Sequence, residues 1–197
     1  AQKTNGWGSV SQDVKQQIFS SLDDSVDWKK ALHYFCGTKQ KSSKSRTFRR
    51  INRKYPYIHP GRKIKRTSNL AIYIDQSGSV SDSGIAAFFD ALNMLAKDVG
   101  FTVYHFDTRV DENSKYSWRK NQKYNLPMRT LTGGTCFQAV EQHFRGRAAE
   151  YDGYIVMTDG CAPKPDTSIS KRAWVILPGN ELAFKPESRD AVIMMKD

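Results

Sequence analysis

Apolar residues recur along this chain with two different periods. Val14, Ile18 and Leu22 follow one another at helical spacing behind Ser11, a suitable N-cap, and predict an amphipathic helix over 12–22. Trp28, Ala31, Leu32 and Phe35 form the apolar face of a second helix, capped by Asp27 or Ser25 and ended at Gly37. Both helices are too short to enclose a core and are expected to pack on a larger unit. From Leu70 onward the pattern changes to strand, helix, strand, helix. Strands are predicted over 70–74, 101–106, 152–158, 172–177 and 191–195, and helices over 84–97 and 136–147. The polar and aromatic stretch 107–127 reads as a hairpin or a long loop. This alternation predicts an α/β fold, a doubly wound and mostly parallel sheet of about six strands with helices on both faces.

Charge changes the picture in one segment. The 197 residues hold 31 Lys or Arg against 20 Asp or Glu, a formal net charge of +11. Twelve of those cations lie between residues 39 and 66, where there is no acid, so 19 basic residues face 20 acidic ones elsewhere. The excess therefore belongs to one basic arm. Its first part, 39–45, has the polar composition of a mobile tract. Its second part interleaves Phe48, Tyr55 and Tyr57 with Arg and Lys, and Pro56 and Pro60 exclude a continuous helix there. An extended arm lying along the main domain is expected. The chain is thus read as an N-terminal helical extension (1–38), a basic arm (39–67) and an α/β domain (68–197).

The arm has three readings. Arg49, Arg50, Arg53, Lys54, Arg62, Lys63, Lys65 and Arg66 could neutralise the phosphates of a nucleic acid. The same residues could dock an acidic protein surface, or serve as a solvated linker.

No run approaches the roughly 18 apolar residues of a membrane span, and no charged-then-apolar leader is evident. A chain beginning at Ala1 is expected to be a processed product or a piece of a longer protein. Cys36, Cys136 and Cys161 form no Cys-x-x-Cys pair and cannot all pair within one chain, which suggests a reduced, cytoplasmic setting.

Candidate chemistry gathers at the ends of the apolar strands. Asp75, Ser77 and Ser79 directly follow 70–74, Thr135 ends the turn Thr132-Gly133-Gly134-Thr135, and Asp159 follows the strand containing Tyr154 to Met157. Carboxylates and hydroxyls collected at the carboxyl ends of parallel strands suit a hard cation such as Mg²⁺, with Mn²⁺ or Ca²⁺ as substitutes. These five residues, in this order and on these element ends, resemble the von Willebrand factor A (VWA) fold and its metal-ion-dependent adhesion site, over residues 68–197. The resemblance implies that Ser77, Ser79 and Thr135 (or its bound water) lie near the metal, with Asp75 and Asp159 ligating directly or through water. Few direct anionic ligands would leave the cation electrophilic toward a partner's Asp or Glu. The implied function is a divalent-cation-dependent protein-interaction module.

A narrower resemblance rests on Val26-Asp27-Trp28-Lys29-Lys30-Ala31-Leu32, on the basic run 49–56 and on Ile74-Asp75-Gln76-Ser77-Gly78-Ser79. Together these look like the C-terminal half of bacterial and phage proteins that join a predicted metallopeptidase-like domain to a VWA-like domain. That likeness implies a chain working within a larger protein or complex, and intracellular VWA proteins suggest an AAA+ ATPase as partner. Gln76 departs from the small residue common at its position, which is expected to point away from the metal.

Catalysis finds no support in the motifs. There is no nucleophile elbow, no His-Glu-x-x-His and no Gly-rich Lys loop for phosphates, and His33, His59, His105 and His143 are scattered. His105, inside a strand, reads as a structural residue. Cys136 and Cys161 are expected at the rim of the metal site as free thiols.

Overall fold

The computed structural model describes residues 28–37, 41–67, 69–97, 99–123 and 129–196. The helix expected over 12–22 lies outside them. The described chain runs α1 (Trp28–Gly37), β1 (Lys41–Ile51), β2 (Pro60–Thr67), β3 (Leu70–Asp75), α2 (Asp82–Leu95), β4 (Phe101–Phe106), β5 (Val110–Trp118), α3 (Phe137–Gly146), β6 (Gly153–Thr158), β7 (Arg172–Ile176) and β8 (Ala191–Met194).

Six strands form one sheet in the order β5-β4-β3-β6-β7-β8. Every pairing is parallel except β4 with β5, which is the hairpin alternative read for 107–127. The central strands are apolar almost throughout because both faces are covered. Leu70, Ile72 and Ile74 of β3 join Ile85, Phe88 and Leu92 of α2 in one core. Ala71 and Tyr73, pointing the other way, join Phe137, Val140 and Phe144 of α3 in the second. The sheet is therefore doubly wound, in the α/β class the alternation predicts. Leu32, Phe35 and Cys36 of α1 extend the first core, and the helix packs beside β8 and α2.

Helix boundaries follow their local chemistry. Ser81 caps α2, its Oγ accepting from the Gly84 amide at 3.1 Å, and Asp82 in the first turn favours the positive end of the helix dipole. Among the described residues no helix is long and apolar enough to cross a membrane.

The basic segment differs from the extended arm expected for it. β1 and β2 pair with each other as an antiparallel hairpin, from Lys41↔Thr67 to Thr47↔Gly61, with a three-residue bulge before Ile51↔Pro60. Asn52 makes the turn. Its Oδ1 accepts from the amides of Lys54 and Tyr55, and its Nδ2 donates to the Pro60 carbonyl at 3.3 Å. A Cβ at Gly61 would stand 2.2 Å from the Arg50 carbonyl oxygen, so only glycine permits the strands to meet there. Pro60 is tolerated because it opens a strand rather than interrupting one.

Candidate metal centre

The chain leaves β3 toward β4 on one side and later returns to place β6 on the other. The carboxyl ends of β3 and β6 thus flank the point where strand order reverses, and such sheets bind ligands in the crevice outside it. Asp75 is the last residue of β3, and Asp159 directly follows β6. Both are buried, at 0% and 2% exposure.

Hydrogen bonds orient the two carboxylates. Asp75 Oδ1 accepts from the Ser77 amide at 2.9 Å and Oδ2 from the Thr158 hydroxyl at 2.6 Å. Asp159 Oδ1 accepts from the Cys161 amide at 3.1 Å, while its Oδ2 carries no hydrogen bond among the described residues. Burial pushes the Asp75 carboxyl above its usual range and the nearby Asp159 charge adds to this, against the lowering effect of bonds from Thr158 and Ser77. Among the described residues no Lys or Arg pairs with either carboxylate.

The hydroxyls come from two loops. Ser77 Oγ and Ser79 Oγ are 3.0 Å apart. One hydroxyl donates to the other at that distance, an ordinary O–H···O hydrogen bond. The second loop is tied down on both sides of Thr135. The Gly78 amide donates to the Gly133 carbonyl at 3.0 Å, and the Cys136 amide to the Asp107 carbonyl at 2.9 Å. Gly133 lies so close to Asp107 that a Cβ would stand 2.6 Å from its Oδ2. Thr135 itself is half-buried. The described residues hold no group of three or more His, Cys, Asp or Glu placed to share a metal ion. The candidate donors, two carboxylates and three hydroxyls, are oxygen alone.

Three supporting residues escape sequence reasoning. Thr158, one position before the second carboxylate, links the two strands. Arg129 spans the Asp75-to-Ser81 loop: Nη1 donates to the carbonyls of Gln76 at 3.4 Å and Ser77 at 3.0 Å, Nη2 to that of Val80, and Nε to Asp82 Oδ1 at 3.0 Å. Asp107 seats the Gly133 loop. Only Thr158 had a signal, its adjacency to Asp159. Arg129 reaches back about fifty positions from a polar stretch without periodicity. Gln76 is fully buried, with Oε1 accepting the Thr130 amide at 3.1 Å, so it braces the segment that carries Arg129.

No family model matches the chain, and no curated protein does. Among solved structures, the ArnB paralog VWA2 from Sulfolobus acidocaldarius is similar at 14% identity and a TM-score of 0.44, over 57% of this chain. The match spans 35% of that protein's length. The likeness is too distant to speak to the metal site or to a partner.

The remaining candidates are not among the five proposed donors, although the Cys161 amide bonds Asp159 and Cys136 directly follows Thr135. His105 is buried, with Nδ1 2.8 Å from Thr130 Oγ1, while its Nε2 has no partner among the described residues. Burial lowers its pKa to about 4. All three cysteines are free, Cys161 exposed, Cys136 half-buried and Cys36 buried, where desolvation pushes its thiol up to about 12. Arg49, Arg50, Arg53 and Lys54 are exposed near the turn of the β1–β2 hairpin. The side chains of Arg62, Lys63, Lys65 and Arg66 lie outside the described ones.

Proposed function

We propose that the α/β domain is a divalent-cation-dependent protein-interaction module in which Asp75, Ser77, Ser79, Thr135 and Asp159 hold Mg²⁺. The observation that carries this reading is the pair of buried carboxylates at the switch point with no described Lys or Arg beside them. Buried charges are paired or coordinate metals, and leaving two uncompensated is unfavourable. The all-oxygen set of proposed donors favours a small hard cation, with Mn²⁺ or Ca²⁺ able to substitute. Bound there, the ion would supply an electrophile. The residues themselves orient the site, through Thr158 on Asp75 and Arg129 on the loop.

Two carboxylates neutralise a dication only formally, and neither neutral hydroxyls nor water adds negative charge. A partner's Asp or Glu is the ligand that such a centre favours, most of all once the partner has covered the rim and excluded water. We read the module as binding rather than catalytic, working in the cytoplasm within a larger protein or complex, with an AAA+ ATPase as the partner class that its resemblance to intracellular VWA proteins implies. Isothermal titration with Mg²⁺, then partner capture with and without EDTA, tests the reading. Absence of metal binding at millimolar Mg²⁺ overturns it.

A further inference from the structure

The metal centre uses none of the twelve cations between residues 39 and 66. Their hairpin presents a second kind of surface. At its closed end Phe48 is 80% exposed and Tyr57 88%, and Tyr55 is also exposed. Arg49, Arg50, Arg53 and Lys54 are exposed between these rings. Several large rings exposed on one short turn are the kind of apolar patch that marks an interaction site, and the cations beside them favour an anion.

The surface is built rather than loose. The Asn52 turn fixes Lys54 and Tyr55, and the His59 amide donates to the Tyr55 carbonyl at 3.3 Å. The Tyr55 ring is braced edge-on by His59, with centroids 5.3 Å apart, and Lys54 Nζ stands 5.6 Å over it. Tyr57 holds φ at 63°, a left-handed conformation uncommon for a bulky residue. The bulge at Phe48, Arg49 and Arg50 interrupts the ladder beside this turn.

We propose that the tip of the β1–β2 hairpin binds single-stranded nucleic acid, with bases stacked on Phe48, Tyr55 and Tyr57 and phosphates held by Arg49, Arg50, Arg53 and Lys54. Stacking needs a base face, and a duplex keeps its faces against one another, so the exposed rings favour a single strand. Stacking tolerates any base, and no acidic side chain in the segment opposes the backbone. The ligand is therefore a single strand read with little sequence preference. The interaction is independent of the metal centre.

Fluorescence anisotropy on the full chain tests this, with a labelled oligothymidylate, a duplex of the same length, and vesicles of phosphatidylserine and phosphatidylcholine as separate probes. The single strand should bind more tightly than the duplex, equally with and without EDTA. Its log affinity should fall with log salt at a slope of about −3, from four cations on a single strand. Exchanging Arg49, Arg50, Arg53 and Lys54 for Gln should bring that slope toward zero. Phe48→Ala and Tyr57→Ala should each weaken single-strand binding about tenfold or more, while Tyr57→Phe preserves it. These side chains are exposed, so melting temperatures should not move. Equal affinity for duplex and single strand, alanine variants that bind like the parent chain, or binding to the anionic vesicles alone would each overturn the proposal.

Discussion

Thr158 Oγ1 donates to Asp75 Oδ2 at 2.6 Å, joining the carboxyl ends of β6 and β3 across the switch point. Asp159 Oδ1 lies farther from the same hydroxyl, at 3.4 Å, and Thr158 Oγ1 itself accepts from the Gly160 amide at 3.1 Å. A hydroxyl has one proton to give, and the shorter contact takes it. Asp75 is thereby held by two hydrogen bonds, while Asp159 Oδ2 carries none among the described residues.

Removing that hydroxyl should therefore loosen the first carboxylate. Thr158→Val keeps the shape but leaves Asp75 Oδ2 buried without its donor, which costs about 1–3 kcal/mol. Mg²⁺ affinity should fall about 10- to 100-fold, as happens when partners of metal ligands are lost. Denaturant unfolding and metal titration of the variant check both. Unchanged metal affinity would mean that Asp75 does not depend on Thr158.

Mg²⁺ should stabilise the folded chain by mass action. At a hundred times its dissociation constant the gain is about 2.7 kcal/mol, or roughly 5–10 °C in melting temperature for a domain of this size. Asp75→Ala and Asp159→Ala should abolish the rise. They should do so without unfolding the metal-free chain, because each also relieves a buried like-charge pair. A metal-induced shift that persists in both variants places the ion elsewhere.

Arg129 should matter for its shape as much as its charge. Its guanidinium reaches three carbonyls of the Ser77 loop and Asp82 at once, which a single ammonium cannot do. Arg129→Lys should lower metal affinity nearly as far as Arg129→Ala. Full rescue by Lys, measured calorimetrically, would reduce the residue to a charge.

The central strands were legible in the sequence because they are buried on both faces and read as apolar runs, such as 70–74. The polar edge strand β5, by contrast, reads only as a hairpin or a long loop. The carboxylates were legible because they follow those runs directly. The hairpin was not, since β1 is largely Lys, Arg, Ser and Thr and shows no apolar alternation. Its register depends on Asn52 and Gly61, neither of which marks a pairing by itself. Arg129 and Asp107 were hidden for a related reason. Their partners, loop carbonyls and the Asp82 carboxylate for Arg129 and the Gly133 loop for Asp107, are distant in sequence, and nothing local encodes a contact of that kind.

Acid should weaken the fold through His105. Its folded pKa, about 4, lies below the value of about 6.5 usual for histidine, because burial penalises the charged ring more than Asp111 favours it. The unfolded chain then binds the proton first. Stability is fully present above about pH 6.5 and falls as the pH drops toward 4, by about 3 kcal/mol at most. His105→Gln should flatten that part of the profile. A parent-like acid limb in the variant would assign the loss to other groups.

Partner binding should respond to Thr135 more than folding does. Its loop is tied through Gly133 and Cys136, by backbone bonds that the side chain does not make. Thr135→Ala therefore leaves the tethers intact and should move the melting temperature of the metal-free chain by no more than a degree or two. What the variant would lose, on the proposed function, is one uncharged donor oxygen beside the position that a partner's carboxylate would fill. Affinity for that partner should drop at least tenfold, and in the same direction as the drop caused by EDTA. Combining Thr135→Ala with EDTA should add little, because both act on one site and their effects are not independent. Capture of the partner at parental affinity, in EDTA or by the Asp75→Ala variant, would move the interaction surface away from the metal centre.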